Sequence, residues 1–204
     1  MKNNFIDDDL RAMGKFKDMI MDILFKSEDV RDLCMPQLDN KNLDISDNFF
    51  GGKNLEYFDA FSNEFKNVDL LGHCFDVPYI DLRINDTRAL IAIESFVKRI
   101  EGDHIKEVEL DIFIYSHKDI VHMSNEEKGK FVNKGYAGNR IDMLCAAVIS
   151  ALKTYSKEFG IGGLELNPYN PIYPYEPKNE FYGKKISYLC YDFFIKPKNQ
   201  ENRK

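Results

Sequence analysis

The segment 105–116, IKEVELDIFIYS, limits most tightly what this chain can fold into. Val108, Leu110, Ile112 and Ile114 alternate with Glu107, Glu109, Asp111, Phe113 and Tyr115, the two-residue period of an extended strand. Such a strand predicts one dry face and one wet face, so it belongs to a sheet covered on one side only. The chain supplies the cover downstream. Behind a capping Asn139, residues Ile141, Leu144, Cys145, Val148, Leu152 and Tyr155 recur at helical spacing, which predicts a helix from Asn139 to Phe159 lying along the dry face.

The same arguments place the remaining elements. Met13, Phe16, Ile20, Ile23 and Leu24 make an apolar stripe opposite Lys15, Lys17, Asp18 and Asp22, predicting an amphipathic helix from Asp9 to Phe25. Ser27, followed by Glu28 and Asp29, caps a short second helix that ends before Pro36. Pro78–Ile84, Arg88–Ile100 and Lys184–Ile195 read as further strands. Ser124-Asn-Glu-Glu127 suits a single helical turn, and Gly135 and Gly138 suit a reversal that needs positive φ. Three stretches lack such periodicity: an aromatic-rich excursion at 37–72, a Pro/Tyr-rich loop at 164–183 and a polar tail at 196–204. Proline has no ladder donor, which bars that loop from a sheet interior. The expected fold is a single α+β domain. Its sheet is mainly antiparallel, with one long helix on one face and an amphipathic helix at the N-terminus.

Composition narrows the partners. With 204 residues, 44% of them hydrophobic, the chain can bury one core. A net charge of -6 without a basic cluster argues against sequence-specific nucleic acid binding. No apolar run is long enough to span a membrane, and the acidic start MKNNFIDDDLR is unlike a secretion signal, so a protein that stays in the cytoplasm of its cell is expected. Cys34, Cys74, Cys145 and Cys190 are widely spaced and are expected to be reduced, buried apolar residues.

Candidate chemistry fails on spacing. Asp81, Glu94 and Lys98 suggest a magnesium-dependent nuclease, but Phe96 stands where the lysine is needed, two positions after the acid. Glu107, Glu109 and Asp111 are an ordinary charged strand face. His117 and His122 are too far apart for one helical face, and Gly160-Ile-Gly-Gly163 follows a helix, where it serves as a C-cap. No catalytic residue, cofactor or metal is therefore expected. Phe113 and Tyr115 on the wet face, with His117, Tyr136, Arg140 and Asp142 nearby, are expected to form a protein interface, Arg140 and Asp142 as a possible intersubunit pair.

The succession SEDVRDLCMP, PYIDLRI, RALIAIESFVKRI, VELDIFIYSHKDIV and GNRIDMLCAAVISALK, behind an N-terminal amphipathic helix, resembles the tail terminator proteins of long-tailed bacteriophages. The resemblance covers most of the chain in element order. It implies a small α+β virion subunit, made in the host cytoplasm, that forms a hexameric ring at the head-proximal end of the tail tube. Its implied partners are copies of itself, the tail tube protein and a neck or head-completion protein. The excursion and the Pro/Tyr loop depart from that pattern and would supply extra contacts to a sheath or collar. Another neck or head-completion subunit is the alternative, and a metal-dependent nuclease the remoter one.

Overall fold

The computed structural model describes residues 5–34, 50, 54–59, 64–69, 73–75, 87–101, 104–158, 163–175 and 180–191. Helices α1 (Phe5–Lys26) and α2 (Glu28–Cys34) open the chain. Strands β1 (Asn54–Asp59) and β2 (Glu64–Asp69) form a separate antiparallel ribbon within the aromatic-rich stretch. The main sheet has six strands. β3 (Cys74–Phe75) runs parallel to β4 (Ala89–Glu101), which turns back into β5 (His104–His117). β5 pairs antiparallel with β8 (Phe181–Tyr191), whose other side is shared by β6 (Leu164–Leu166) and β7 (Ile172–Tyr175). Between β5 and β6 lie α3 (Lys118–Val121), α4 (Asn125–Val132) and α5 (Arg140–Tyr155).

This is the expected α+β class, an open sheet that is mostly antiparallel. The expected strand Pro78–Ile84 and most of the 37–72 excursion lie outside the described residues, as does the 196–204 tail. The Ser124 turn runs longer than its four residues suggest. Ser124 and Glu127 close a capping box, and the helix continues to Val132. α5 stops earlier than expected, at Tyr155 rather than Phe159.

Alternation decides what the sheet buries. Ile91 and Ile93 of β4, Val108, Leu110, Ile112 and Ile114 of β5, and Ile186 and Tyr188 of β8 form one buried cluster with the apolar stripes of α1, α2 and α5. Phe16, Ile20 and Leu24 come from α1, and Leu144, Val148 and Leu152 from α5, the stripes predicted by period. Each such side chain contributes about 1.5–3 kcal/mol by leaving water.

The start of α5 is fixed in three ways. The Asn139 side chain accepts from Asp142 N at 3.0 Å, and the Asp142 carboxylate accepts from Asn139 N at 3.1 Å. Gly138 takes φ +102°, and a Cβ there would sit 2.5 Å from Asp142 Oδ2, so the box leaves room only for glycine. Arg140 is 2% exposed. Its guanidinium donates to Ile120 O at 2.9 Å, Leu33 O at 3.3 Å and Glu127 Oε1 at 2.7 Å, tying together α3, the end of α2 and α4.

Two predictions follow from this knot. Arg140→Ala leaves two carbonyls and a carboxylate without their donor, and chemical denaturation should show a loss of about 3–5 kcal/mol. The second concerns acid. The Ser124 backbone N–H, helped by Arg140, holds the Glu127 carboxyl below its usual range. Burial would raise Asp142, but hydrogen bonds from Lys184 and the Asn139 N–H outweigh it and lower it. Groups lowered in the folded state stabilise fully above their unfolded values and lose that contribution as pH falls through the folded ones. The urea midpoint should therefore stay level from about pH 7 to about pH 5 and fall toward pH 3, and Asp142→Asn should make that fall shallower.

Candidate functional site

The opposite face of the sheet is divided, not uniformly wet. Register places Ala92, Phe113, Lys185 and Tyr173 in one row across four strands, and Leu90, Tyr115, Gly183 and Tyr175 in the next. Leu90, Ala92, Phe113, Tyr115 and Phe181 form a second buried cluster with Phe75 against it. Phe113 is stacked with Tyr115 at 6.3 Å between centroids, and Tyr175 meets both edge-on at 5.1 and 5.9 Å. The expectation that Phe113 and Tyr115 project into solvent is thus corrected. They are 8% and 1% exposed within the single chain, because Gly183 leaves the space over Tyr115 that Tyr175 closes.

Beyond that cluster the face turns polar. Lys185 donates to Asp111 Oδ2 at 2.5 Å and lies 4.8 Å from the Tyr173 ring centroid. Asp111 is 3% exposed, and its Oδ1 has no hydrogen-bond partner. Glu109 pairs with Lys98 at 2.6 Å and accepts from Ser187 Oγ at 3.0 Å. Glu94 pairs with Lys17 of α1 at 2.7 Å. Among the described residues no three His, Cys, Asp or Glu side chains gather as a metal site would require, and Asp81 lies outside them.

The other expected interface residues also have work inside the chain. His117 is 5% exposed; its Nδ1 accepts from Asp119 N at 3.3 Å and caps α3, and its ring packs edge-on against Phe181. The Tyr136 hydroxyl donates to Asp29 at 2.9 Å at the rim of an open polar cleft of about 250 Å³ lined by Ser27, Asp29, Lys134 and Thr154. Arg140 is the buried knot described above. Asp142 pairs with Lys184 of β8, so the expected partnership of Arg140 and Asp142 across subunits gives way to separate partners within one.

Exposed large apolar residues stand at the two edges of the sheet, and Val132 of α4 and Tyr191 at the end of β8 are exposed besides. On the β6–β7–β8 side, Leu166, Tyr169, Ile172, Tyr175 and Tyr182 are exposed, Tyr169 by 86%. On the β4–β5 hairpin, Phe96 and Ile100 are 46% and 50% exposed. Neither edge is suited to simple strand addition. Ser187 N donates to Pro171 O at 3.0 Å, while Ser187 O accepts from Asn167 N because Pro171 has no donor. The ladder alternates from there, so Tyr173 and Tyr175 turn their backbone groups toward β8 while Ile172 and Pro174 turn outward. Pro174 therefore removes a donor from the free edge. On β4, which carries β3 at Ile91 and Ala92, the register shifts between Val97, Arg99 and Ile100 bend the strand. Sequence reasoning missed these edge residues, although the prolines at 171 and 174 were the signal that an edge strand was present.

The fold is thus an α+β sheet layer covered by helices on one face and apolar at both edges. Residues 33–190 match the model of the YomW family. The chain belongs to that family, which is phage-derived. No curated protein and no solved structure matches the chain. Among the described residues no helix is long and apolar enough to cross a membrane.

All four cysteines are buried. Burial raises their thiols where a shift is resolved, Cys145 to about 12 and Cys190 to about 11, while Arg140 only partly opposes the rise at Cys34. A thiol-specific reagent at pH 8 should leave all four unmodified in the native protein and label all four in denaturant. Fast native labelling of any one would contradict its placement.

Proposed function

We propose that this chain is a structural virion protein, a tail terminator that forms a ring at the head-proximal end of a phage tail tube and joins the tube to the neck. The observation that carries the reading is that two separate edges of one sheet each carry exposed apolar residues, Phe96 and Ile100 on one and Leu166, Tyr169, Ile172 and Tyr182 on the other. A ring subunit needs two different patches for its two neighbours and further surfaces for the layers above and below it. Membership of a phage-derived family is compatible with this assignment, and the element order of the chain resembles that of tail terminators. Acidic side chains that would serve a metal-dependent nuclease are instead engaged by lysines, Glu94 by Lys17 and Glu109 by Lys98.

The test is to mix the purified chain with polymerising tail tube protein from the same phage and image the product. The expected result is tubes that stop growing and carry a ring at one end. Tubes that elongate unchanged contradict the terminator role. A ring that instead binds the capsid vertex and ignores tubes would assign the chain to the neck or head-completion layer.

A further inference from the structure

We infer that copies of this chain dock head to tail, the β6–β7 edge of one against the β4–β5 hairpin of the next, with Glu165 of one copy paired to Lys106 of its neighbour. The inference deepens the assembly reading above by naming the two surfaces that meet and the residues that set their register.

The first support is position. β4 and β6 stand toward opposite ends of the strand order, so the two apolar patches face away from each other. Two such patches on one subunit cannot satisfy each other, and two different patches facing apart generate a repeating contact when copies meet. The second is charge. Around the hairpin patch Lys98 is paired with Glu109, and Arg99 with Glu101 and Glu107. Around the outer edge Lys184 is paired with Asp142, Lys185 with Asp111 and Lys118 with Glu180. Lys106, beside the Ile100–Ile105 pair, and Glu165, beside Leu166, have no ion pair among the described residues. A second copy supplies both the apolar counterpart and an opposite charge for each of these two residues.

The mode of contact also follows. Pro174 denies the outer edge a ladder donor, and the shifted register of β4 bends the other, so the joint forms through side chains. That keeps the repeat from growing as an unlimited shared sheet.

The experiment measures the mass of the purified chain, alone, by light scattering over a concentration series. The wild-type chain should be an oligomer, and Ile172→Asp and Ile100→Asp should each be monomeric with unchanged circular dichroism. Each variant keeps one good patch, so an equimolar mixture should form a heterodimer and go no further. Lys106→Glu should raise the dissociation constant about tenfold or more, and the double variant K106E with E165K should recover it; this arm leaves the apolar residues intact, so it decides the matter if either Asp variant misfolds. A wild-type chain that is monomeric by itself, or a mixture that forms no heterodimer, or a double variant that shows no recovery would each overturn the inference. Failure here with tubes still capped leaves the terminator role standing, whereas a head-to-tail oligomer that ignores tubes overturns that role alone.

Discussion

A single buried guanidinium organises the helical side of this molecule. Arg140 sits at the first turn of α5 and donates to the backbone of α2 and α3 and to the Glu127 side chain. Burial of a charge is tolerated only when its donors are met, and here three partners from three elements meet them. The position of α5 on the sheet therefore depends on α2, α3 and α4 being in place together. The capping box at Asn139 and the ion pair from Asp142 to Lys184 of β8 add the connection to the sheet. One turn of helix thus joins both layers, which is why α5 lies along the sheet as a fixed element.

Most of the architecture was legible because periodicity reports burial directly. The stripe of α5, the stripe of α1 and the Val108 to Ile114 alternation name residues of the core, with Met13 and Tyr155 only partly buried at its margin. The second face was not legible for a physical reason. Phe113 and Tyr115 occupy positions that alternate with the core, and in a one-sided sheet such positions face water. Here Gly183 opens space between strands and Tyr175 fills it from β7, a contact made across more than fifty residues of sequence that no local pattern encodes. Arg140 was misread in the same way, since a charged residue in the first turn of a helix gives no sign that three distant acceptors wait for it.

The candidate surface followed the opposite course. Residues singled out as interface turned out to be occupied inside the subunit, while the exposed ones of the β6–β7 edge lay in a stretch set aside as a loop. Proline explains the second fact. Pro171 breaks the pairing of β8 so that β6 hands over to β7, and Pro174 leaves the new edge short of a donor. The result is a guarded edge that carries Leu166, Ile172 and the tyrosines outward, suited to contact by side chains. Membership of a phage-derived family is compatible with the assembly role proposed for this surface.

The central claim is that the chain works by assembling through the two edges of its sheet. A cryo-electron microscopy reconstruction of the head-proximal end of the phage tail tests it most directly. The account predicts a ring of this chain at the end of the tube, with Tyr169 and Ile172 of each copy covered by the Phe96 and Ile100 hairpin of the next. A tail that lacks the chain, or a ring in which the β6–β7 edge remains open to solvent, would contradict it.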